Sequence, residues 1–351
     1  MLSVGLVGLP NAGKSSLFNL ITENSVPAAN FPFCTIDPTD GMVVVKDERL
    51  DTLAKLANAQ KTIYATIEFK DIAGLVKGAS QGAGLGNQFL SHIRECDMIL
   101  MVLRCFQDDN IIHVENRVNP EEDEEILMME LTMADQTLLE KLMTRLEKDL
   151  KTSKDVLADQ KLNLAQSLLQ AVSNLQPASN VINPVNSDKD LIKWRKGLNL
   201  LSDKPIMRFG NISLDLENMQ YPVDFELDVA GELALVGMSP EERVELGASP
   251  ESGLDKMIKQ CFHTLSLATY LTVGEKEARA WTFTRGMSAP ECAGKIHTDF
   301  EKKFIKANLA KYSVFVELGG WKGVTTAGKL QIVGKDYTML DGDIVEFMIG
   351  A

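Results

Sequence analysis

Long apolar runs are missing from this sequence. No stretch is long enough to cross a bilayer as a helix, so no membrane partner is expected. Paired cysteines are missing as well. The five cysteines, at positions 34, 96, 105, 261 and 292, are odd in number and scattered, with no C-x-x-C spacing. That pattern speaks against a disulfide framework and a cysteine-held metal, and for reduced thiols in a cytoplasmic protein. No basic segment stands ahead of the first strand-like residues, so a signal peptide is not expected. An excess of positive charge is also absent. The 36 Lys+Arg against 49 Asp+Glu give −13, which argues against the whole surface clinging to nucleic acid. The deficit is uneven. Residues 268–351 hold 11 Lys+Arg against 10 Asp+Glu, a net +1, which leaves −14 on the rest. A local basic face near the C-terminus can still meet a phosphate backbone.

What is present begins at residue 8. Gly8-Leu-Pro-Asn-Ala-Gly13-Lys14-Ser15-Ser16 fits the phosphate-binding pattern G-x-x-x-x-G-K-[ST]. Its context fits too: Leu2 to Val7 reads as a buried strand and Ser16 to Ile21 as the first turns of a helix. The loop glycines let successive N–H groups, from Asn11 through Ser16, turn toward phosphate oxygens at the positive end of the helix. Lys14 is expected to reach the β- and γ-phosphates, and the Ser15 hydroxyl to sit on Mg²⁺.

The first hundred residues continue in a βαβ rhythm. Met42 to Val45, Ala65 to Phe69 and Asp97 to Leu103 read as strands, and Leu50 to Ala57 as a helix. This implies an α/β domain with a mainly parallel sheet, whose ligands bind at the carboxyl ends of the strands. The pattern then changes. After the acidic run Glu121 to Glu125, which reads as a solvated helix start, apolar residues step by three or four from Leu127 to Leu150 and again from Val156 to Val172. A helical hairpin is expected, its stripe either an internal packing seam or a partner-binding coiled coil. Gln176 to Asp188 reads as a loop, and Pro205 to Asn211 resumes the strand character. In the C-terminal part, Ala280 to Thr284, Ser313 to Leu318 and Asp343 to Ile349 are expected strands, with a helix from about Glu291 to Lys306.

A triphosphatase also needs a metal site, a γ-phosphate sensor and a way to position water. Asp71 closes an apolar run and opens Asp71-Ile-Ala-Gly74. Its carboxylate can hold Mg²⁺ through water, and the N–H of Gly74 can approach the γ-phosphate closely. Thr35, in a loop between helix and strand, can complete the Mg²⁺ shell while triphosphate is bound, as switch loops do.

These segments together resemble the YchF/Obg-like ATPase family. The resemblance rests on the phosphate loop, on Asn30-Phe-Pro-Phe-Cys-Thr-Ile36, and on Asp71-Ile-Ala-Gly-Leu-Val-Lys-Gly-Ala-Ser80 with Gly84-Leu-Gly-Asn-Gln-Phe89. Asp109-Asn-Ile-Ile-His113-Val, Ala278-Arg-Ala-Trp-Thr282 and Ala293-Gly-Lys-Ile-His-Thr-Asp-Phe-Glu301 extend it. It covers nearly the whole chain and is weakest from about 120 to 230. It implies a P-loop NTPase domain in two parts (1–118 and 193–267), a helical coiled-coil insertion (119–192) and a C-terminal β-grasp (TGS) α+β domain (268–351). It further implies nucleotide hydrolysis and association with the ribosome, on its large subunit, with ribosomal RNA contact through the TGS domain. Lys295, Lys302, Lys303, Lys306 and Lys311 either serve that contact or form an ordinary solvated face.

Two departures from common GTPase patterns bear on chemistry. Leu75 stands where many related GTPases carry a catalytic glutamine, and a leucine cannot orient water. The resemblance hands that role to His113, since an imidazole can orient or deprotonate water; an ordinary surface histidine is the competing reading. The base-reading segment is Asn211-Ile-Ser-Leu214. Leucine replaces the acid that selects guanine, and Asp215 is one residue out of register. A site lacking that carboxylate loses its guanine preference. ATP is therefore expected, with GTP tolerated and Asn211 still at the base edge. The resemblance also implies K⁺ at Asn11. Arg104 is expected in a salt bridge rather than at the phosphates. The opposing class of function is a ribosome- or RNA-binding protein in which hydrolysis is incidental.

Overall fold

The computed structural model describes residues 2–23, 40–72, 84–113, 117–150, 155–184 and 188–350. Along the chain the elements begin with β1 (Ser3–Val7), α1 (Lys14–Glu23), β2 (Asp40–Val45), α2 (Glu48–Leu56), β3 (Thr62–Ile63) and β4 (Ala65–Asp71). Then follow α3 (Gly84–Glu95), β5 (Met98–Arg104), α4 (Pro120–Leu150), α5 (Ala158–Ser173), α6 (Lys189–Gly197), β6 (Ile206–Asn211) and β7 (Phe225–Leu227). Next come α7 (Val229–Ala234), α8 (Pro240–Glu245), α9 (Gly253–Thr264), β8 (Leu267–Val273) and β9 (Ala278–Thr284). The last elements are α10 (Ala289–Ile296), α11 (Thr298–Lys302), β10 (Phe304–Lys311), α12 (Tyr312–Glu317), α13 (Trp321–Thr326), β11 (Gln331–Val333) and β12 (Asp343–Ile349). Two compact units result, Met1–Met42 with Glu68–Gly253, and Val43–Ile67 with Leu254–Ala351.

The first unit is organised by a sheet of order β2-β4-β1-β5-β6-β7. The pairings β4 with β1, β1 with β5, β5 with β6 and β6 with β7 are all parallel. Strand β5 reads MILMVLR and is buried at every position, as a central strand covered on both faces must be. Helix α4 starts with Pro120 at a position where its missing N–H costs nothing, followed by acids at the positive helix end. Its apolar stripe serves two cores. Leu127 and Leu131 pack with Val7, Ile93 and Met101 beneath the sheet, whereas Leu139 packs with Leu164, Leu168 and Val172 of α5. The stripe is thus largely an internal seam. Val156, counted in that stripe from its spacing, lies ahead of α5 and is 93% exposed. A buried carboxylate ties α4 to the segment before β6. Asp135 accepts from Leu201 N (2.8 Å), Ser202 N (2.7 Å) and Ser202 Oγ (2.8 Å), with Arg94 Nη1 at 3.2 Å.

The acidic run does not behave as a uniform solvated start. Glu121, Glu122 and Glu125 are exposed, but Asp123 is buried, because its turn of α4 faces the loop after β5.

The second unit holds a mixed sheet of order β11-β10-β12-β8-β9-β3. Strands β8 and β12 are parallel in its middle, flanked by the antiparallel pairs β8–β9 and β10–β12. With α10 between β9 and β10, this is the β-grasp arrangement. Residues 43–67 group here: β3 pairs with β9, and Arg49 bonds Asp341 at 2.9 Å. Two expectations fail in this unit. Ser313 to Leu318 is not a strand but α12. Only Phe315 is buried on it, and Gly319 and Gly320 take positive φ to stop the helix. The helix expected from Glu291 to Lys306 breaks at His297, whose extended backbone ends α10 and whose Nδ1 accepts from Asp299 N (3.2 Å) to cap α11. Phe304 already begins β10. Trp281 stacks on Tyr270, with the Arg279 guanidinium 3.8 Å from its ring centre. Lys311 is held by Asp343 at 2.6 Å, while Lys295, Lys302, Lys303 and Lys306 are exposed.

Candidate functional site

Strands β1, β5 and β6 run in register, with Val7 beside Met101 and Arg104 beside Asn211. Their carboxyl ends therefore open onto one crevice, where parallel sheets bind ligands. The segment after β1 folds back tightly. A side chain at Gly8 would meet the Val102 carbonyl at 2.5 Å, and one at Gly13 would meet Asn211 Nδ2 at 2.2 Å. Gly13 has φ +100 and Asn11 φ 63, both left-handed, which glycine takes freely and asparagine tolerates. Lys14 opens α1, is buried, and donates from Nζ to the Leu9 carbonyl at 2.8 Å. Asn211, at the end of β6, donates from Nδ2 to the Ala12 carbonyl at 3.1 Å. The loop is thereby fixed from both sides.

Burial pulls the Lys14 ammonium below its ordinary value, while the Asp71 charge pushes it back up. Burial also raises the Asp71 carboxyl, against the lowering effect of Lys14. Both groups thus carry a desolvation cost that a bound polyphosphate and its cation would relieve. Asp71 ends β4, and its carboxylate and the Ser15 hydroxyl are hard oxygen donors suited to Mg²⁺. Among the described residues no cluster of three or more His, Cys, Asp or Glu could hold a metal. A cation here would take much of its coordination from phosphate and water.

A cleft of about 400 Å³ opens above the loop. Asn11, Gly13, Lys14, Ser15 and Ser16 form its phosphate end, and Phe106, Asp108 and Ile111 one wall. Asn211, Ile212, Ser213, Leu216, Asp228, Val229 and Ala230 form the remainder. Of the residues expected from sequence, these include Asn11, Gly13, Lys14, Ser15, Ser16 and Asn211. Ala12 lies buried just behind. Thr35 and Gly74 fall outside the described residues, as do Leu75 and Cys34.

Arg104 is fully buried, and its salt bridge is not found among the described residues. Its Nε, Nη1 and Nη2 donate to the carbonyls of Phe106 (3.1 Å), Ile111 (2.9 Å) and Asp108 (2.9 Å). An arginine fork can gather several carbonyls at once, and here it shapes the loop that walls the cleft. His113 follows that loop and does not line the cleft. It is buried, with Nε2 3.0 Å from Asp123 Oδ2 on the first turn of α4. Burial raises the Asp123 carboxyl above the usual range, opposed by His113 and by Arg117. Arg117 Nη1 stands 3.5 Å from Asp123 Oδ1, near enough for charge attraction, yet that oxygen accepts no hydrogen bond among the described residues. The residue before His113 touches the phosphate loop directly: Asn11 Nδ2 donates to the Ile112 carbonyl at 2.8 Å.

Sequence reasoning puts the segment Phe225 to Ala230 over the base without singling out Asp228, and it missed Asp123 and the Ile112 carbonyl. Asp228 directly follows the short strand β7 (Phe-Glu-Leu) at the carboxyl edge of the sheet. The other two are contacts across the chain that no local pattern announces.

Comparison with known proteins agrees with this geometry. Residues 3–141 match the family model described as 50S ribosome-binding GTPase, and residues 267–350 match YchF-GTPase_C, described as a protein of unknown function. A protein of Bacillus subtilis named ribosome-binding ATPase YchF is 44% identical, over 99% of this chain and 98% of its own. One of Escherichia coli O157:H7 with the same name is 42% identical, over 98% of each. The solved structure of the Schizosaccharomyces pombe YchF GTPase superposes with a TM-score of 0.82 at 34% identity, covering 99% of this chain and 97% of that one. With such identity over its full length, the chain belongs to the YchF family.

Proposed function

We propose that the protein is an Mg²⁺-dependent nucleoside-triphosphate hydrolase, preferring ATP over GTP, that changes shape with its nucleotide and binds ribosomes in the cytoplasm. The observation that carries this reading is the phosphate loop itself: a buried Lys14, left-handed Asn11 and Gly13, and Asn211 pinned to Ala12, all at the floor of one cleft. The names of the relatives support the ATPase and ribosome-binding parts. No described helix is long and apolar enough to cross a membrane.

In this reading the N–H groups of the loop from Asn11 through Ser16 hold the phosphates, and Lys14 exchanges the Leu9 carbonyl for phosphate oxygens. Ser15 and Asp71, with Thr35, would hold Mg²⁺, which neutralises charge on the β- and γ-phosphate oxygens when bound. Gly74 would offer its N–H to the γ-phosphate. Asn11 is the residue that would meet K⁺. His113 would orient the attacking water in place of the glutamine that Leu75 lacks. That role requires its release from Asp123, since the pair lies outside the cleft. Asn11 links the two events, because an amide turned toward a ligand gives up the Ile112 carbonyl. The helical pair within 119–192 and the C-terminal residues 268–351 are the parts assigned to the ribosome, on its large subunit. The exposed Lys295, Lys302, Lys303 and Lys306 would face RNA phosphates.

The test is parallel calorimetric titration of ATP and GTP against the Mg²⁺-loaded protein, followed by single-turnover hydrolysis. Tighter ATP binding with measurable hydrolysis is expected. Equal or tighter GTP binding would overturn the ATP preference, and binding without hydrolysis would leave only a nucleotide-sensing protein.

A further inference from the structure

A carboxylate does stand in the cleft away from the phosphates, although the motif that normally supplies one has lost it. Leu214 occupies the acid position of the base-reading segment, is 80% exposed, and does not line the cleft; Asp215 is exposed and does not line it either. Asp228 does. Its Oδ2 accepts from the N–H of Leu214 at 3.1 Å, and its Oδ1 from the N–H of Gly231 at 2.9 Å. The carboxylate is therefore fixed between the two segments that form this end of the cleft, and it touches the backbone of the very position where the motif's acid is missing. Around it the lining is apolar or small: Ile212, Leu216, Val229 and Ala230. Such a lining suits the faces of a purine ring, and a carboxylate can only accept hydrogen bonds.

We propose that Asp228 is the specificity-determining residue for the base, accepting a hydrogen bond from the exocyclic amine of adenine. The inference rests on the nucleotide-hydrolase reading above. Guanine reading by a carboxylate uses two N–H donors side by side, one for each oxygen. Each Asp228 oxygen already accepts one backbone N–H, from Leu214 and from Gly231 of its own helix, so one lone pair remains on each, and the ATP preference proposed above makes the adenine amine the donor. A base with no donor there leaves the remaining lone pairs of the carboxylate desolvated and unfilled on binding, which is how a polar site discriminates against it.

The experiment is calorimetric titration of the full chain with Mg²⁺ and four nucleotides. ATP is compared with purine riboside triphosphate, which lacks only the amine, and GTP with inosine triphosphate. The variants are Asp228→Asn and Asp228→Ser, both of which keep a side chain able to cap α7. In the native protein ATP should bind about 10- to 100-fold more tightly than purine riboside triphosphate, the span of one hydrogen bond to a charged group. In both variants that ratio should fall to near one, with purine riboside triphosphate binding almost unchanged. A native ratio near one, or variants that keep the native ratio, would overturn the proposal. So would an amine effect confined to the GTP and inosine pair, which would make the acceptor a guanine reader. If no nucleotide binds the native protein, the hydrolase reading itself fails.

Discussion

Removing the Asp123 carboxylate should speed intrinsic hydrolysis. His113 is held at 3.0 Å by Asp123 Oδ2 in a buried site, outside the cleft where an attacking water would stand. A hydrogen bond involving a charged partner contributes about 1.5–3 kcal/mol, and the Asp123 variant removes that bond from His113. In an Asp123→Ala variant the held state therefore weakens by roughly 10- to 100-fold relative to the released one. Where release is the minor state, single-turnover ATP hydrolysis without ribosomes should rise by about tenfold or more, until chemistry limits it. ATP affinity should change little, since Asp123 does not line the cleft. The decisive control is the double variant with His113→Ala. If Asp123 acts only by holding the histidine, its removal must have no effect once the histidine is gone. Unchanged or slower hydrolysis in the single variant, or a gain that persists without His113, would refute the reasoning and make the pair a structural one.

Three further outcomes follow from the described contacts. Gly13→Ala places a Cβ 2.2 Å from Asn211 Nδ2 at φ +100, so ATP binding should weaken by at least about 100-fold, the consequence of misplacing several phosphate-facing donors at once; near-native affinity by calorimetry would show that the loop has room to shift. Asp135→Ala strands the donors of Leu201 and Ser202 in a buried site and should cost roughly 3–5 kcal/mol in urea unfolding; a loss below about 1 kcal/mol would mean that α4 is anchored elsewhere. Burial pushes the Asp341 carboxyl up, but the Thr269 N–H and Arg49 outweigh it and hold it below the usual carboxylate range. A depressed folded-state value gives stability that is present above the unfolded value and is lost as pH falls through the folded one. The C-terminal unit should thus lose stability on that acidic limb, and Asp341→Asn should flatten it; an unchanged acid profile would dismiss the pair with Arg49 as a pH determinant.

How much of this was legible in the sequence depended on where each residue's partner lies. Strand β5 announced itself because seven buried residues in a row need no knowledge of the rest of the chain. The phosphate loop did so because its glycines, lysine and serine sit within nine positions. Helix α12 was misread since its β-branched residues speak for a strand, while its actual conformation is decided by one buried ring and a two-glycine stop. Arg104 was expected to find a carboxylate and instead gathered three carbonyls, a choice set by loop shape, which carries no signal in residue type.

The same logic explains why the contacts that tune the site were the least visible. Asn11 meets a carbonyl 101 residues away, Asn211 one 199 residues away, and His113 a carboxylate on the next helix. The first two join the end of one strand or its following loop to another, and only the sheet's strand order makes them neighbours. A lost motif residue therefore need not mean a lost function. The acid missing at Leu214 has a counterpart at Asp228, 14 residues on, brought to the same backbone N–H by the pairing of β6 with β7. Because the crevice lies at the carboxyl edge of a parallel sheet, any strand end along that edge can supply the chemistry. The base-reading group can move between strand ends while the site stays where it is.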